Sequence, residues 1–298
     1  MKIHQPVLLD ETIELLDLQS GEVVIDMTAG YGGHSAEILK RIGTAGKLIL
    51  VDRDIEAIKH LRKQFANNKN VEILHSNYAK LDWDNIGTVD KALLDLGVSS
   101  PQLDESSRGF SFSKEAVLDM RMDQSQQLSA YDIVNNSEEH ELADIIYRYG
   151  EERRSRLIAK AIVESRSIKP ISTTKQLADI VSGCLAQKGK IHPATRTFQA
   201  IRIAVNQELE GLEAVLPKIA NNLAKGGRLA VISFHSLEDR IVKQFFRSLV
   251  SAEKDSVTGS VLREPNFILV NKKPIKGSTN DKNPRARSAK LRCVEKTN

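Results

Sequence analysis

Cysteine is nearly absent. Cys184 and Cys293 stand far apart and outside any CxxC pattern, which excludes a disulfide framework and a cysteine-based zinc site. The seven histidines are dispersed, with no HExxH or related ligand pair, so no metal is expected. Charge interrupts every apolar run well short of the roughly 18 residues that a membrane-spanning helix needs. The opening Met1-Lys2-Ile3-His4-Gln5-Pro6 soon meets Asp10 and Glu11 and lacks the apolar core of a secretory signal. A cytoplasmic protein with no membrane partner is therefore expected. Internal repeats are missing as well, which excludes a solenoid.

What is present suits an ordinary folded protein. Hydrophobic residues make up 41% and charged residues 28%, a balance that argues against disorder. The 298 residues exceed a usual single domain, so one large domain with an insertion, or two domains, is expected. The net charge of +4 is uneven: residues 263–298 carry ten Lys and Arg against three acids, leaving the rest of the chain net negative. A basic end suits a phosphate backbone, with a merely solvated tail as the plainer alternative.

Val23-Val24-Ile25 reads as a short strand that runs through Asp26 into a glycine-rich turn, and Ser35 to Arg41 reads as a helix. The second unit is Lys47 to Val51, then Asp52-Arg53-Asp54 and a helix with Ile55, Ile58 and Leu61 on one face. Val71 to Leu74 and Lys91 to Leu94 supply two more strands, the latter ending at Asp95. Alternating strands and helices predict a doubly wound α/β sheet of parallel strands. The next buried strand, Arg228 to Phe234, begins far beyond the span of one crossover unit, about 30 residues. The intervening chain is patterned as helix over Glu138–Tyr149, Glu151–Arg166, Thr174–Leu185 and Ala194–Leu223. Residues 105–207 are therefore expected to form a helical insertion, with 1–104 and 208–298 forming the sheet domain. A helix from Leu237 to Leu249, the linker Ser256 to Ser260, and strands Phe267–Val270 and Ala289–Val294 are expected to finish the sheet as an antiparallel pair.

Ligands of such sheets bind at the carboxyl ends of strands, where glycine lets the backbone approach closely. Gly30, Gly32 and Gly33 hold that place, and Asp52 closes the second strand where an acid can accept ribose hydroxyls. A nucleoside cofactor is implied. The dehydrogenase pattern GxGxxG fails at Ser35, and Asp26 would repel a pyrophosphate while tolerating the ammonium and sulfonium of S-adenosylmethionine. The methyl donor is thus favoured over NAD, although Thr28 stands where the common methyltransferase loop has glycine. Tyr78 reads either as a flat contact for adenine or as a core tyrosine. Asp95 points into the same crevice, toward cofactor or acceptor.

Asp95-Leu96-Gly97-Val98-Ser99-Ser100-Pro101-Gln102 resembles the SPPY or DPPY loop of amino-methyltransferases. An exocyclic nucleobase amine is a poor nucleophile because its lone pair is delocalised. Acceptors such as Asp95, Ser99, Ser100 and nearby carbonyls favour the tetrahedral nitrogen on which positive charge develops. Methylation at cytosine carbon 5 would need a cysteine nucleophile, and neither cysteine occupies a suitable loop. His235 is a candidate proton acceptor; a structural histidine beside a cap made by Ser236 with Asp239 is the alternative.

His4-Gln5-Pro6-Val7-Leu8, Asp95 to Gln102, Arg108-Gly109-Phe110-Ser111-Phe112, Asp119-Met120-Arg121-Met122-Asp123, Glu151 to Arg154, Thr195 to Ala200, Ser233 to Asp239 and Arg285 to Arg292 together resemble one family. It is the RsmH (MraW) family of bacterial 16S ribosomal RNA cytosine-N(4) methyltransferases. The resemblance spans nearly the whole chain. It implies a Rossmann-like class I methyltransferase sheet, and methyl transfer from S-adenosylmethionine to the exocyclic amine of a cytidine in the decoding centre of the small subunit. It also implies cofactor contacts by Gly32, Gly33, His34, Asp52, Tyr78, Asp95 and Gln102, with Tyr78 standing where the family often has phenylalanine. Arg108, Arg121, Arg196, Arg285, Arg287, Lys290 and Arg292 are the candidates for RNA phosphates. Arg153, Arg156 and Lys160 read instead as helix-surface partners of acids such as Glu152 and Glu164. A non-catalytic rRNA-binding assembly factor, an NAD-dependent oxidoreductase and a DNA methyltransferase are the competing readings.

Overall fold

The structure is a computed structural model, and it describes residues 6–185, 192–254, 260–278 and 283–298. His4 and Gln5 of the first motif, and residues 256–259 of the expected linker, lie outside the described residues. The chain divides into two compact units: residues 1–97 with 209–298, and residues 98–208.

In the first unit, α1 (Leu9–Leu16) precedes β1 (Val23–Asp26), α2 (Gly33–Ile42), β2 (Lys47–Asp52), α3 (Ile55–Gln64), β3 (Val71–His75), α4 (Trp83–Ile86) and β4 (Val89–Asp95). The second unit holds α5 (Ser100–Asp104), α6 (Ala130–Asn136), α7 (Glu139–Gly150), α8 (Ser155–Ile168), α9 (Thr174–Cys184) and α10 (Thr195–Asn206). The first unit resumes with α11 (Glu208–Asn222, all but its first residue), β5 (Leu223–Ser233) and α12 (Ser236–Leu249). It ends with β6 (Glu253–Lys254), β7 (Val261–Arg263), β8 (Phe267–Leu269), β9 (Ile275–Lys276) and β10 (Lys290–Lys296).

The main sheet runs β3-β2-β1-β4-β5-β10-β8, with β9 also on β10. β1 to β5 pair in parallel, and β10 pairs antiparallel to β5, β8 and β9. The expected antiparallel finish is present. β9 and the separate β6–β7 ribbon are too short to carry a periodic signal.

Side chains alternate across a strand, so consecutive apolar residues are useful only where both faces are covered. Ile25, Ile49, Ala92, Leu94, Leu229 and Val231 pack with Leu212, Leu216, Val242 and Phe246 of α11 and α12. Val24, Leu48, Leu50, Leu93, Ala230 and Ile232 pack on the other face with Ile13, Leu16, Ile38 and Leu61 of α1, α2 and α3. Both faces of the central strands are thereby closed to water.

The helical unit has its own core, with Ile146, Ile158, Ile162, Leu177, Val181 and Ile201 fully buried. Its boundaries differ from the expected 105–207: the unit begins at Val98, immediately beyond the β4 turn. The helical pattern over 194–223 is interrupted where Gln207 adopts a left-handed φ of 48°, closing α10 before α11 starts. α7 and α10 approach closely at Gly150, where an added Cβ would lie 2.6 Å from the Arg196 carbonyl oxygen. Gly150→Ala should therefore cost roughly 1–3 kcal/mol through overpacking. A urea titration would show the midpoint falling at constant slope, and an unchanged midpoint would reject this account.

Candidate functional site

From β1 the order proceeds through β2 to β3 on one side, and from β4 to β5 on the other. The order therefore reverses between β1 and β4, and a crevice opens at their carboxyl ends. The glycine loop that leaves β1 is anchored at successive residues. The Met27 N–H donates to the Leu93 carbonyl at 3.0 Å, and the Ala29 N–H to the Val51 carbonyl at 3.0 Å. The Thr28 N–H donates to Asp26 Oδ1 at 3.2 Å, and the Gly30 N–H to Asp52 Oδ2 at 2.8 Å. The loop thus hangs from the ends of β1, β2 and β4 together.

Two glycines give this loop room. Gly30 has φ +52°, and a Cβ there would meet nothing nearer than the Thr28 carbonyl oxygen at 3.9 Å, so its outer side is open. On Gly33, a Cβ would strike the Pro6 ring. Gly32 caps α2 with φ 77° and no side-chain hydrogen bond, so the positive end of the helix macrodipole meets the loop without a capping side chain. An open cradle beside an acid that closes the second strand fits a nucleoside cofactor.

Three carboxylates surround the crevice. Asp26 is buried and accepts the Ser35 hydroxyl at 2.6 Å as well as the Thr28 N–H. Burial pushes its carboxyl from 3.8 up to about 6, against the opposing hydrogen bonds from Ser35 and Thr28. Asp52 is also raised by burial, although the N–H groups of Asp54 and Gly30 favour its anion. Asp95, at the end of β4, is 25% exposed, and its Oδ2 lies 3.6 Å from Nδ1 of the buried His34. The other ring nitrogen, Nε2, is 3.1 Å from the Val7 carbonyl. A carbonyl only accepts, so Nε2 carries the proton and Nδ1 is the atom that faces Asp95. Tyr78 is buried in the core beside Gly211, with the Arg53 guanidinium 5.8 Å from its ring centroid. Sequence reasoning missed Ser35, whose partner lies nine residues back around a turn that no periodicity reveals.

Several of the expected site residues have partners within the protein. His235 caps α12: its Nδ1 accepts the Glu238 N–H at 3.4 Å, and its Nε2 is 3.1 Å from Glu238 Oε1. The cap therefore sits one residue before the expected Ser236, and His235 supplies it. Asp239 receives Lys290 and Arg292 at 2.8 Å each, so both of these candidate phosphate contacts have an acidic partner within the protein. Arg108 is 4% exposed and donates to the carbonyls of Arg121 and Met122 at 3.1 and 3.0 Å. Arg121 pairs with Asp119 at 2.7 Å and bonds the Gln126 carbonyl at 2.8 Å. The RGFSF and DMRMD motifs thus bind each other through these contacts. Asn206 completes this knot through the Met122 N–H and the Met120 carbonyl, both at 2.8 Å.

Ser99 and Gln102 form the capping box of α5 in the helical unit, with the Ser99 N–H on Gln102 Oε1 at 2.9 Å. Ser100 opens that helix, and its side chain, like that of Arg285, lies outside the described part. Arg196 is 57% exposed, donates to the Glu151 carbonyl at 3.2 Å, and lies 3.7 Å from Glu152. Arg287 is exposed. Lys160 lies 3.8 Å from Glu164, a helix-surface pair as expected. Burial pushes the Cys293 thiol up to about 12, so it provides no thiolate for attack on a ring carbon.

Asp26 makes stability depend on pH in a defined direction. Its folded-state value exceeds the unfolded one, so its contribution is complete below 3.8 and is lost as pH rises to about 6. The loss is on the order of 2–3 kcal/mol. Asp26→Asn lacks this titration, so urea unfolding from pH 4 to 7.5 should show the variant gaining on the wild type by about that amount. A difference independent of pH would sink the assignment.

Residues 1–297 match the MraW methylase family. A Coprothermobacter proteolyticus protein named Ribosomal RNA small subunit methyltransferase H is 46% identical over 297 residues, covering 98% of this chain and 96% of its own. Proteins of the same name from Caldicellulosiruptor bescii and Legionella pneumophila (strain Paris) are each 47% identical. Their matches cover 98% and 99% of this chain, and 99% of each relative. With the match running from end to end through both units, the chain belongs to the MraW methylase family.

Proposed function

We propose that this protein transfers the methyl group of S-adenosylmethionine to the exocyclic N(4) amine of a cytidine in 16S ribosomal RNA, presented by the small ribosomal subunit in the cytoplasm. The observation that carries this reading is full-length identity of 46–47% with proteins named Ribosomal RNA small subunit methyltransferase H. The crevice between β1 and β4 supports it with an acid at each strand end that the reaction needs.

The donor supplies an electrophilic methyl on a sulfonium, whose sulfur keeps the bonding pair as a neutral thioether. Gly30 leaves room for its amino-acid portion beside Gly32 and Gly33, and the N-terminus of α2, capped by Gly32 without a side chain, suits a carboxylate. Asp26 offers negative charge to the ammonium and sulfonium. Asp52 still has carboxylate lone pairs for ribose hydroxyls beyond its bonds to Gly30 and Asp54. Asp95 accepts an N–H of the acceptor amine, which helps the nitrogen become tetrahedral and stabilises the positive charge that transfer creates. His34 Nδ1 lies 3.6 Å from that carboxylate. Among the RNA-binding candidates, Arg196 and Arg287 keep exposed cationic ends suited to phosphates.

Two measurements test the reading. Saturating S-adenosylmethionine at a hundredfold excess over Kd should stabilise the protein by about 2.7 kcal/mol, raising Tm, while NAD should not. Stabilisation by NAD alone would overturn the cofactor assignment. Labelled methyl transfer should go to small subunits ahead of naked rRNA and DNA, and Asp95→Ala should lower it about a hundredfold or more. An unchanged N(4)-methylcytidine content of rRNA after gene deletion would favour a non-catalytic assembly role, and label entering only DNA would move the substrate.

A further inference from the structure

Thr28 stands where the common methyltransferase loop has glycine, and the structure gives its side chain a partner across the crevice. The Asp95 backbone N–H donates to Thr28 Oγ1 at 2.6 Å. The place of this bond in the ladder explains it. β1 and β4 pair in parallel up to Asp26 opposite Leu93, and the last backbone rung runs from the Met27 N–H to the Leu93 carbonyl. Residues two apart present their polar groups to the same strand edge, so the Asp95 N–H faces the β1 side as the Leu93 carbonyl does. Beyond Met27 the chain turns away into the glycine loop. The threonine hydroxyl supplies the next rung after the backbone has departed, and a glycine would supply none.

The helix that follows the same loop approaches Asp95 from a second direction. His34, in the first turn of α2, faces the Asp95 carboxylate at 3.6 Å while its other nitrogen is fixed on the Val7 carbonyl. Thr28 is itself anchored, because its own N–H is held by Asp26. One segment, residues 26–34, therefore sets both the cofactor loop and the main chain that carries Asp95.

We infer that Thr28 is a positioning residue: its hydroxyl fixes the main chain of Asp95 at the switch point, so that the cofactor loop and the carboxylate facing the amine are held in register by one side chain. The inference rests on the proposed role of Asp95 toward the acceptor amine. A hydroxyl acting in this way affects the chemical step more than binding of the cofactor.

The test uses the full-length protein with small subunits. Thr28→Val keeps the shape and removes the acceptor, and Thr28→Ser keeps the acceptor and removes the methyl. The valine variant should lose about tenfold or more in kcat, with a calorimetric Kd for S-adenosylmethionine within about threefold of wild type. The serine variant should recover kcat to within about twofold. If the valine variant fails to fold, Thr28→Ala against Thr28→Ser reads the same contrast. A kcat near wild type without the hydroxyl would overturn the inference. So would a folded serine variant without rescue, or a loss of cofactor affinity that matches the loss of kcat. Absence of methyl transfer by the wild type on any acceptor would instead reject the proposed function, a result independent of the ratio between variants.

Discussion

The parallel ladder between β1 and β4 is the constraint on which the site depends. Strands added on opposite sides of this pair send their connecting helices to opposite faces, so only here do two loops part and leave a crevice. A crevice made in this way has a cost. Backbone groups at the strand ends lose their ladder partners where the loops diverge. This protein answers with side chains: Asp52 takes the Gly30 N–H, Asp26 takes the Thr28 N–H, and Thr28 takes the Asp95 N–H. The groups that satisfy the backbone are therefore the groups that shape the site.

That economy accounts for the buried acids. An unpaired carboxylate in a low-dielectric interior is costly, and Asp26 carries that cost in a carboxyl pushed up to about 6 despite its hydrogen bonds. Asp52 shows the same direction with stronger support from the backbone. A cationic ligand relieves a buried anion, so charge arranged at the expense of stability is charge available for binding. Asp95 differs in being partly open to solvent, as befits a group proposed to meet an incoming amine.

In the helical unit, polar motifs act as fastenings. Arg108, Asp119, Arg121 and Asn206 tie irregular chain to the core through carbonyl oxygens and one ion pair. An irregular segment has no ladder, so its carbonyls need donors, and arginine offers several from one planar group. The same logic places Asp239 between Lys290 and Arg292, linking α12 to β10. Charge counted along the sequence cannot tell these cations from those left exposed, such as Arg287.

The sequence by itself determined the order of elements and the parallel sheet. Strands buried on both faces must be runs of consecutive apolar residues, as Leu48–Val51 and Ala92–Leu94 are. It also pointed to the loop proposed to hold the cofactor, since glycine after β1 and an acid after β2 are local requirements of backbone geometry and hydrogen bonding. The family was legible because its motifs recur along the whole chain. What only the tertiary structure decided was which polar side chains remain available. Tyr78 turned inward, His235 became a cap, Arg108 found carbonyls, and Thr28 reached across to β4. Each outcome depends on a partner distant in the chain or on a one-residue choice of cap. Hydrogen bonding is directional and short-ranged, so composition and spacing name the donors while the fold alone selects their acceptors.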